Sequence, residues 1–249
     1  MRLAVDNTNN HTKLGQIRRY PYLNLGHADH GWLDARHHFS FARYWNPQRT
    51  GFGRLLVIND DKVEAGRGFA EHAHDNMEII TYVRQGAITH KDSMGNTGRT
   101  EAGDVQVMSA GTGVAHSEYN LEQEDTKLYQ IWIEPNTQNV APRWEAMAFP
   151  KAVVTQGLPV LVSGQAKHQS SDALYIHQDA AIYGGKLTSG TEISLQIEHQ
   201  AYVLAAAGSL SVNGCKLLQG DGAEVTGTKV LTLHAETDAE VLVIDVPVQ

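Results

Sequence analysis

Glycine-bearing turns cut this chain into short β-branched runs. That pattern restricts it to folds built from many antiparallel strands. Runs of strand character fall at Leu55–Ile58, Glu78–Val83, Ala87–His90, Val105–Met108, Leu128–Ile133, Val153–Val162, Tyr202–Ala206, Leu210–Val212, Val230–His234 and Val241–Val246. Between many of them stand Arg84-Gln85-Gly86, Met94-Gly95-Asn96, Glu101-Ala102-Gly103-Asp104, Asn213-Gly214 and Gly220-Asp221-Gly222. Glycine gives such turns a positive φ at no steric cost. Near-regular spacing of short strands predicts an all-β sandwich or barrel. Only Pro142–Ala148 reads as a short helix.

The pattern occurs twice. Gln85-Gly86-Ala87-Ile88 followed by Glu101-Ala102-Gly103-Asp104 has a counterpart in Ala207-Gly208-Ser209-Leu210 followed by Gln219-Gly220-Asp221-Gly222. Such a repeat predicts two related β-barrels in tandem. The expected division is a flexible polar extension at 1–16, a first barrel at 17–137 and a second at 138–249. The boundary follows Glu134-Pro135-Asn136-Thr137, where strand character stops.

Composition removes several function classes. With 20 basic and 28 acidic side chains the net charge is −8, which disfavours nucleic acid or an anionic membrane as a direct partner. The single cysteine, Cys215, rules out an internal disulfide and an all-cysteine zinc site. It has only Lys216 as a basic neighbour, so a nucleophilic role is not expected. No run approaches the ~18 apolar residues a membrane helix requires. Met1–Asn10 has no apolar export core. The chain is therefore expected to be cytoplasmic. No phosphate loop, nucleophile elbow or dinucleotide fingerprint is present.

Thirteen histidines are more informative, because imidazole is the commonest metal ligand. Gly66-Arg67-Gly68-Phe69-Ala70-Glu71-His72-Ala73-His74 places two histidines at i and i+2, hence on one face of a strand. Taken alone, the pair also suits a solvated surface loop. A second set repeats the spacing: His116 and Glu118, after the glycine-rich Gly111-Thr112-Gly113. Two strand pairs of this kind present three imidazoles and a carboxylate to one centre. That donor set suits one divalent transition metal: Fe(II), Mn, Co, Ni, Cu or Zn.

The two segments resemble the two motifs of the cupin superfamily. Gly66, His72, His74, Glu78 and Gly86 follow the first, with the last glycine one residue late. Gly103, His116 and Asn120 follow the second. Ser109 stands where that motif has proline, and four residues separate Gly111 from His116 instead of two. With these departures the sequence resembles the pirin family of bicupins, near its bacterial quercetin 2,3-dioxygenase-like members. The likeness runs through His27-Ala28-Asp29-His30-Gly31-Trp32, His37-His38-Phe39-Ser40-Phe41, Ile58-Asn59-Asp60-Asp61, His90-Lys91-Asp92-Ser93-Met94-Gly95 and His116-Ser117-Glu118-Tyr119-Asn120. It is strong over about Tyr22–Pro135 and weak beyond.

The resemblance implies two tandem cupin (jelly-roll) barrels. It implies a metal held by His72, His74, His116 and Glu118, with iron(II) first among the candidates, and it makes Glu78 a near-site or structural residue. It further implies a dioxygenase that opens a flavonol such as quercetin, with dioxygen as co-substrate. Glu118 would then also be the catalytic base. The alternative it carries is a non-catalytic metal- or redox-sensing protein that binds a protein partner; a sugar isomerase fits less well. His168, His177, His199 and His234 lack ligand spacing, so the second barrel is expected to be metal-free. His27, His30 and His37 are expected to brace loops over the barrel mouth. Trp32, Phe39 and Phe41 are expected in the core.

Overall fold

The computed structural model describes residues 15–248. The expected extension at 1–16 thus lies outside the described residues, apart from Gly15 and Gln16. The first half contains β1 (Gln16–Tyr20), β2 (Gly26–Asp29), β3 (Leu33–His37), β4 (Leu55–Val63), β5 (Gly68–His74), β6 (Glu78–Gln85), β7 (Ala87–Asp92), β8 (Thr97–Glu101), β9 (Val105–Ser109), β10 (Val114–Tyr119) and β11 (Thr126–Ile133). Then come β12 (Arg143–Met147), β13 (Val160–Ser163), β14 (Leu174–Tyr175), β15 (Ala181–Leu187), β16 (Glu192–Gln196), β17 (Gln200–Ala207), β18 (Ser209–Val212), β19 (Cys215–Leu218), β20 (Gly222–Thr226), β21 (Val230–Ala235) and β22 (Ala239–Val246).

The strands form two barrels, each a seven-stranded sheet facing a four-stranded one. The first pairs the sheet β12-β9-β6-β11-β4-β3-β2 with β5-β10-β7-β8; the second pairs β1-β20-β17-β22-β15-β13-β14 with β16-β21-β18-β19. The fold is the expected all-β tandem of cupin barrels. The halves exchange edges. β1 hydrogen-bonds to β20 of the second half, and β12 to β9 of the first.

The segment read as a helix at Pro142–Ala148 is this exchanged strand β12. Tertiary packing overrides local preference there: the Trp144 ring stacks on His90 at 4.8 Å, and Arg143 donates to the Tyr175 carbonyl at 2.6 Å. The run Val153–Val162 likewise becomes a strand only at Val160–Ser163, with a single bridge at Val153. Gly157 and Pro159 interrupt it.

Strand parity explains where the cores lie. On β6, β11, β17 and β22, one set of alternate residues faces the other half. Ile80, Tyr82, Tyr129 and Ile131 meet Tyr202, Leu204, Leu242 and Ile244 there, in the largest apolar cluster of the described residues. The opposite parity faces the barrel interiors, and these two interiors differ. In the second barrel Ala201, Val203, Ala205, Leu210, Leu233, Val241 and Val243 fill the space. In the first, Asn59, Asp61, Thr81, Gln106, His116, Glu118 and Gln130 are buried, and the apolar residues divide into small clusters. Burying so many polar groups is unfavourable unless they satisfy one another or a ligand. The first barrel is therefore built around a polar centre.

Candidate metal centre

β5 and β10 are antiparallel neighbours, and His72 sits directly opposite His116 across the ladder. His74 follows two residues along on the same face. The ring centroids are 4.7 Å apart for His72 and His74, 4.6 Å for His72 and His116, and 5.1 Å for His74 and His116. One nitrogen of each lies within 4.8 Å of the others. Among the described residues, no other group of three or more ligating side chains converges in this way. The ladder slips between His116 and Glu118; such β-bulges re-aim side chains beside functional sites. The slip lets β5 lie so close to β10 that a Cβ on Gly68 would stand 2.2 Å from the Glu118 carbonyl. The glycine ahead of the histidine pair thus permits a close backbone approach.

The three imidazoles are prepared as lone-pair donors. His72 Nδ1 lies 2.8 Å from the Ala70 carbonyl. A carbonyl only accepts, so in the neutral ring the proton sits on Nδ1 and Nε2 is bare. Burial, aided by the neighbouring imidazoles, holds the pKa of His116 down to about 3 and that of His74 to about 4. Both are neutral near pH 7. His116 is 3% exposed, yet its Nε2 is buried with no hydrogen-bond partner. A buried, unpartnered nitrogen beside two further imidazoles fits a metal ion.

Glu118 lines the same small cavity as His72 and His74, with Phe41, Asn59, Phe69, Gln130 and Trp132. Its carboxylate accepts from Gln130 at 2.6 Å, from Thr81 at 3.2 Å and from Gln106. Thr100 donates to the Gln106 carbonyl oxygen at 3.0 Å, which turns that amide nitrogen toward Glu118. Burial raises the Glu118 pKa, making its carboxylate a stronger base than one in water. Nearby Asp61 is also buried, with an unpartnered Oδ1, and burial drives its pKa well up.

Glu78 belongs elsewhere. It shares parity with Ile80 and Tyr82, so it faces away from the barrel interior toward the second half. It pairs across the sheet with Ser109, whose hydroxyl donates to it at 2.8 Å. The serine at the motif's proline position therefore serves this carboxyl group. Burial pushes the Glu78 pKa up to about 7. A folded value above the unfolded one means that folding favours the protonated form, so stability is lost as pH rises through the interval from about 4.5 to about 7. Glu78→Gln is expected to melt higher than wild type at pH 8, with a smaller difference at pH 5. Thermal unfolding at both values checks this; an equal shift at both would show that ionisation of Glu78 does not matter.

Several contributors escape motif reading. His90 and Asp92 stand behind His116, with the same i, i+2 spacing that identified the other pairs. Phe41, expected in the core, lines the cavity and meets Trp132 edge-on at 5.4 Å, and Trp132 meets His74 at 5.0 Å. Phe39 is buried as expected. His37 binds Asn59 of the cavity wall at 2.7 Å and so braces it. In the second half His168 contacts Ser163, and His199 contacts Asp179 near the surface.

The comparisons cover both halves. The family described as Pirin matches residues 19–133, and the quercetinase C-terminal cupin domain matches residues 160–246. A Pseudomonas aeruginosa protein provisionally named a quercetin 2,3-dioxygenase is 52% identical over 92% of this chain and 99% of its own. The Escherichia coli K12 protein named quercetin 2,3-dioxygenase is 43% identical, over 89% of this chain and 95% of its own. The crystal structure of the E. coli bacterial pirin YhhW in complex with nickel(II) superposes with a TM-score of 0.86 at 40% identity, covering 94% of this chain and all of that one. With both halves matched and relatives this similar along nearly their whole length, the chain belongs to the pirin family.

Proposed function

We propose that this protein is a metal-dependent dioxygenase whose substrate is a flavonol-like enol such as quercetin. The observation that carries the reading is the triad His72, His74 and His116, closed on one side by the unpartnered Nε2 of His116. These three would hold the ion, and Glu118 would serve it as a fourth ligand or a base. The bound metal would supply Lewis acidity and the electron transfer that dioxygen chemistry requires. Iron(II) is the first candidate. The name of the E. coli relative supports the substrate class, and the nickel(II) complex of YhhW supports a bound transition metal.

The chain's own residues set the rest. The cavity is small, about 60 Å³. It admits the oxygen-bearing edge of a flavonol while the ring system stays at the mouth. Phe41, Phe69 and Trp132 give that mouth apolar, aromatic walls. Glu118, buried and of raised pKa, accepts the proton of the enolic hydroxyl as the substrate enters. Gln106, Gln130 and Thr81 hold the carboxylate in place for that transfer.

The test is aerobic turnover of quercetin by protein carrying a measured metal load. One transition-metal ion per chain with steady loss of quercetin is the expected outcome. Two ions per chain would overturn the single-centre assignment. One ion without turnover would favour the alternative, a non-catalytic metal- or redox-sensing protein acting on a protein partner.

A further inference from the structure

Behind His116 runs a buried line of polar groups that ends in a carboxylate. His90 Nδ1 lies 3.4 Å from His116 Nδ1, and His90 Nε2 lies 3.1 Å from Asp92 Oδ2. His90 is fully buried, His116 3% and Asp92 7% exposed, so water does not compete for these contacts. The His90 ring is fixed by stacking on Trp144, the rings 9° from parallel. The β7–β10 ladder places Asp92 opposite His116 and His90 opposite Glu118.

The proton positions follow from donor and acceptor capacity. An ionised carboxylate only accepts, so His90 carries its proton on Nε2. In a neutral imidazole Nδ1 is then bare and can only accept. The contact with His116 therefore requires the proton on His116 Nδ1. That leaves His116 Nε2, the unpartnered atom at the triad, as a lone pair. We propose that Asp92 and His90 are positioning residues: a two-step relay that locks His116 in the tautomer able to bind metal. The inference rests on the metal centre proposed above. Outer-shell partners of ligating histidines typically contribute about 10–100-fold in metal affinity.

The surroundings of Asp92 make the relay reversible by one atom. Its Oδ1 accepts the backbone amides of Met94 and Asn96, both at 3.0 Å, while Oδ2 takes His90 and the Asn96 side-chain amide. In Asp92→Asn the two backbone donors retain the remaining oxygen at the Oδ1 position. The new amide nitrogen then stands at the Oδ2 position and donates to His90 Nε2, and the Asn96 amide turns over to accept. His90 must now carry its proton on Nδ1, facing His116. His116 is forced to protonate Nε2, the atom aimed at the metal.

The experiment reads histidine tautomers in metal-free protein by long-range ¹H–¹⁵N correlation, and Ni(II) affinity by competition with a chelator. Wild type is expected to show His116 as the Nδ1–H form, and Asp92→Asn as the Nε2–H form with Ni(II) binding about 10–100-fold weaker. His90→Phe keeps a stacking ring but cuts the relay, and weakens binding similarly. His90→Gln retains one acceptor and one donor and stays near wild type. If Asp92→Asn does not fold, the contrast between His90→Phe and His90→Gln decides. An Nε2–H form in wild type, or unchanged tautomers and affinities in folded variants, overturns the relay. Wild type that binds no Ni(II) would overturn the metal centre instead, and the tautomer readout would still judge the relay.

Discussion

Metal-loaded Glu118→Gln is expected to consume quercetin about 10²–10⁴-fold more slowly than wild type, the usual range for loss of a general base. Glutamine keeps the shape of the side chain and one carbonyl oxygen, but it cannot take up a proton at neutral pH. The interior tolerates the change. Gln106 is fixed by Thr100 and still finds an oxygen to donate to, as does Thr81. Gln130, which now donates to Glu118 at 2.6 Å, has only to turn its amide over to accept. Fold and triad should therefore survive with turnover lost. The assay follows quercetin's visible absorbance band with the metal content of variant and wild type matched. Wild-type rates in the matched variant would remove Glu118 as the base.

His116→Ala should abolish metal retention, while His199→Ala leaves it intact. His116 alone of the three projects from the buried side; His72 is exposed and His74 half-buried. Without it the two imidazoles left stand on the open strand β5, and with Glu118 as the sole further donor the centre loses its buried nitrogen and its closed geometry. The loss should exceed the about 10–100-fold typical of an outer-shell partner. His199 pairs with Asp179 in the other half of the molecule and has no role at the centre. Equilibrium dialysis against Ni(II), followed by elemental analysis, separates the two. Equal retention would refute His116 as a ligand.

The fold class was legible because its signal is local: β-branched runs, turn glycines and a repeated spacing. The triad was legible for the same reason, since strand parity converts H-x-H into two side chains on one face. What was hidden is distributed. Asn59, Asp61, Thr81, Gln106 and Gln130 come one or two to a strand, and only assembly of the sheets makes them one polar interior. Parity also separates Glu78 from the site, but the register needed to see this comes from the ladders. β15 was not among the expected strands, because Gly184 and Gly185 break the β-branched pattern that marks the others. There the glycines make room: a Cβ on Gly184 would come within 3 Å of Leu242 and Leu161. β12 escaped because its partners lie in the other half.

The exchange of edge strands sets an order of events during synthesis. Arg19 of β1 bonds Asp221, a residue made 202 positions later. At an elongation rate of about 5–20 residues per second, β1 emerges and waits roughly ten seconds or more for its neighbour. Over that time its backbone donors and acceptors have no sheet to join, and such an edge can pair with a second nascent chain. β12, in contrast, completes the barrel of the histidine triad soon after β9 appears. The barrel that holds the histidine triad can thus close on the ribosome, while the apolar one is sealed only when the last strands arrive and the earliest strand is recovered.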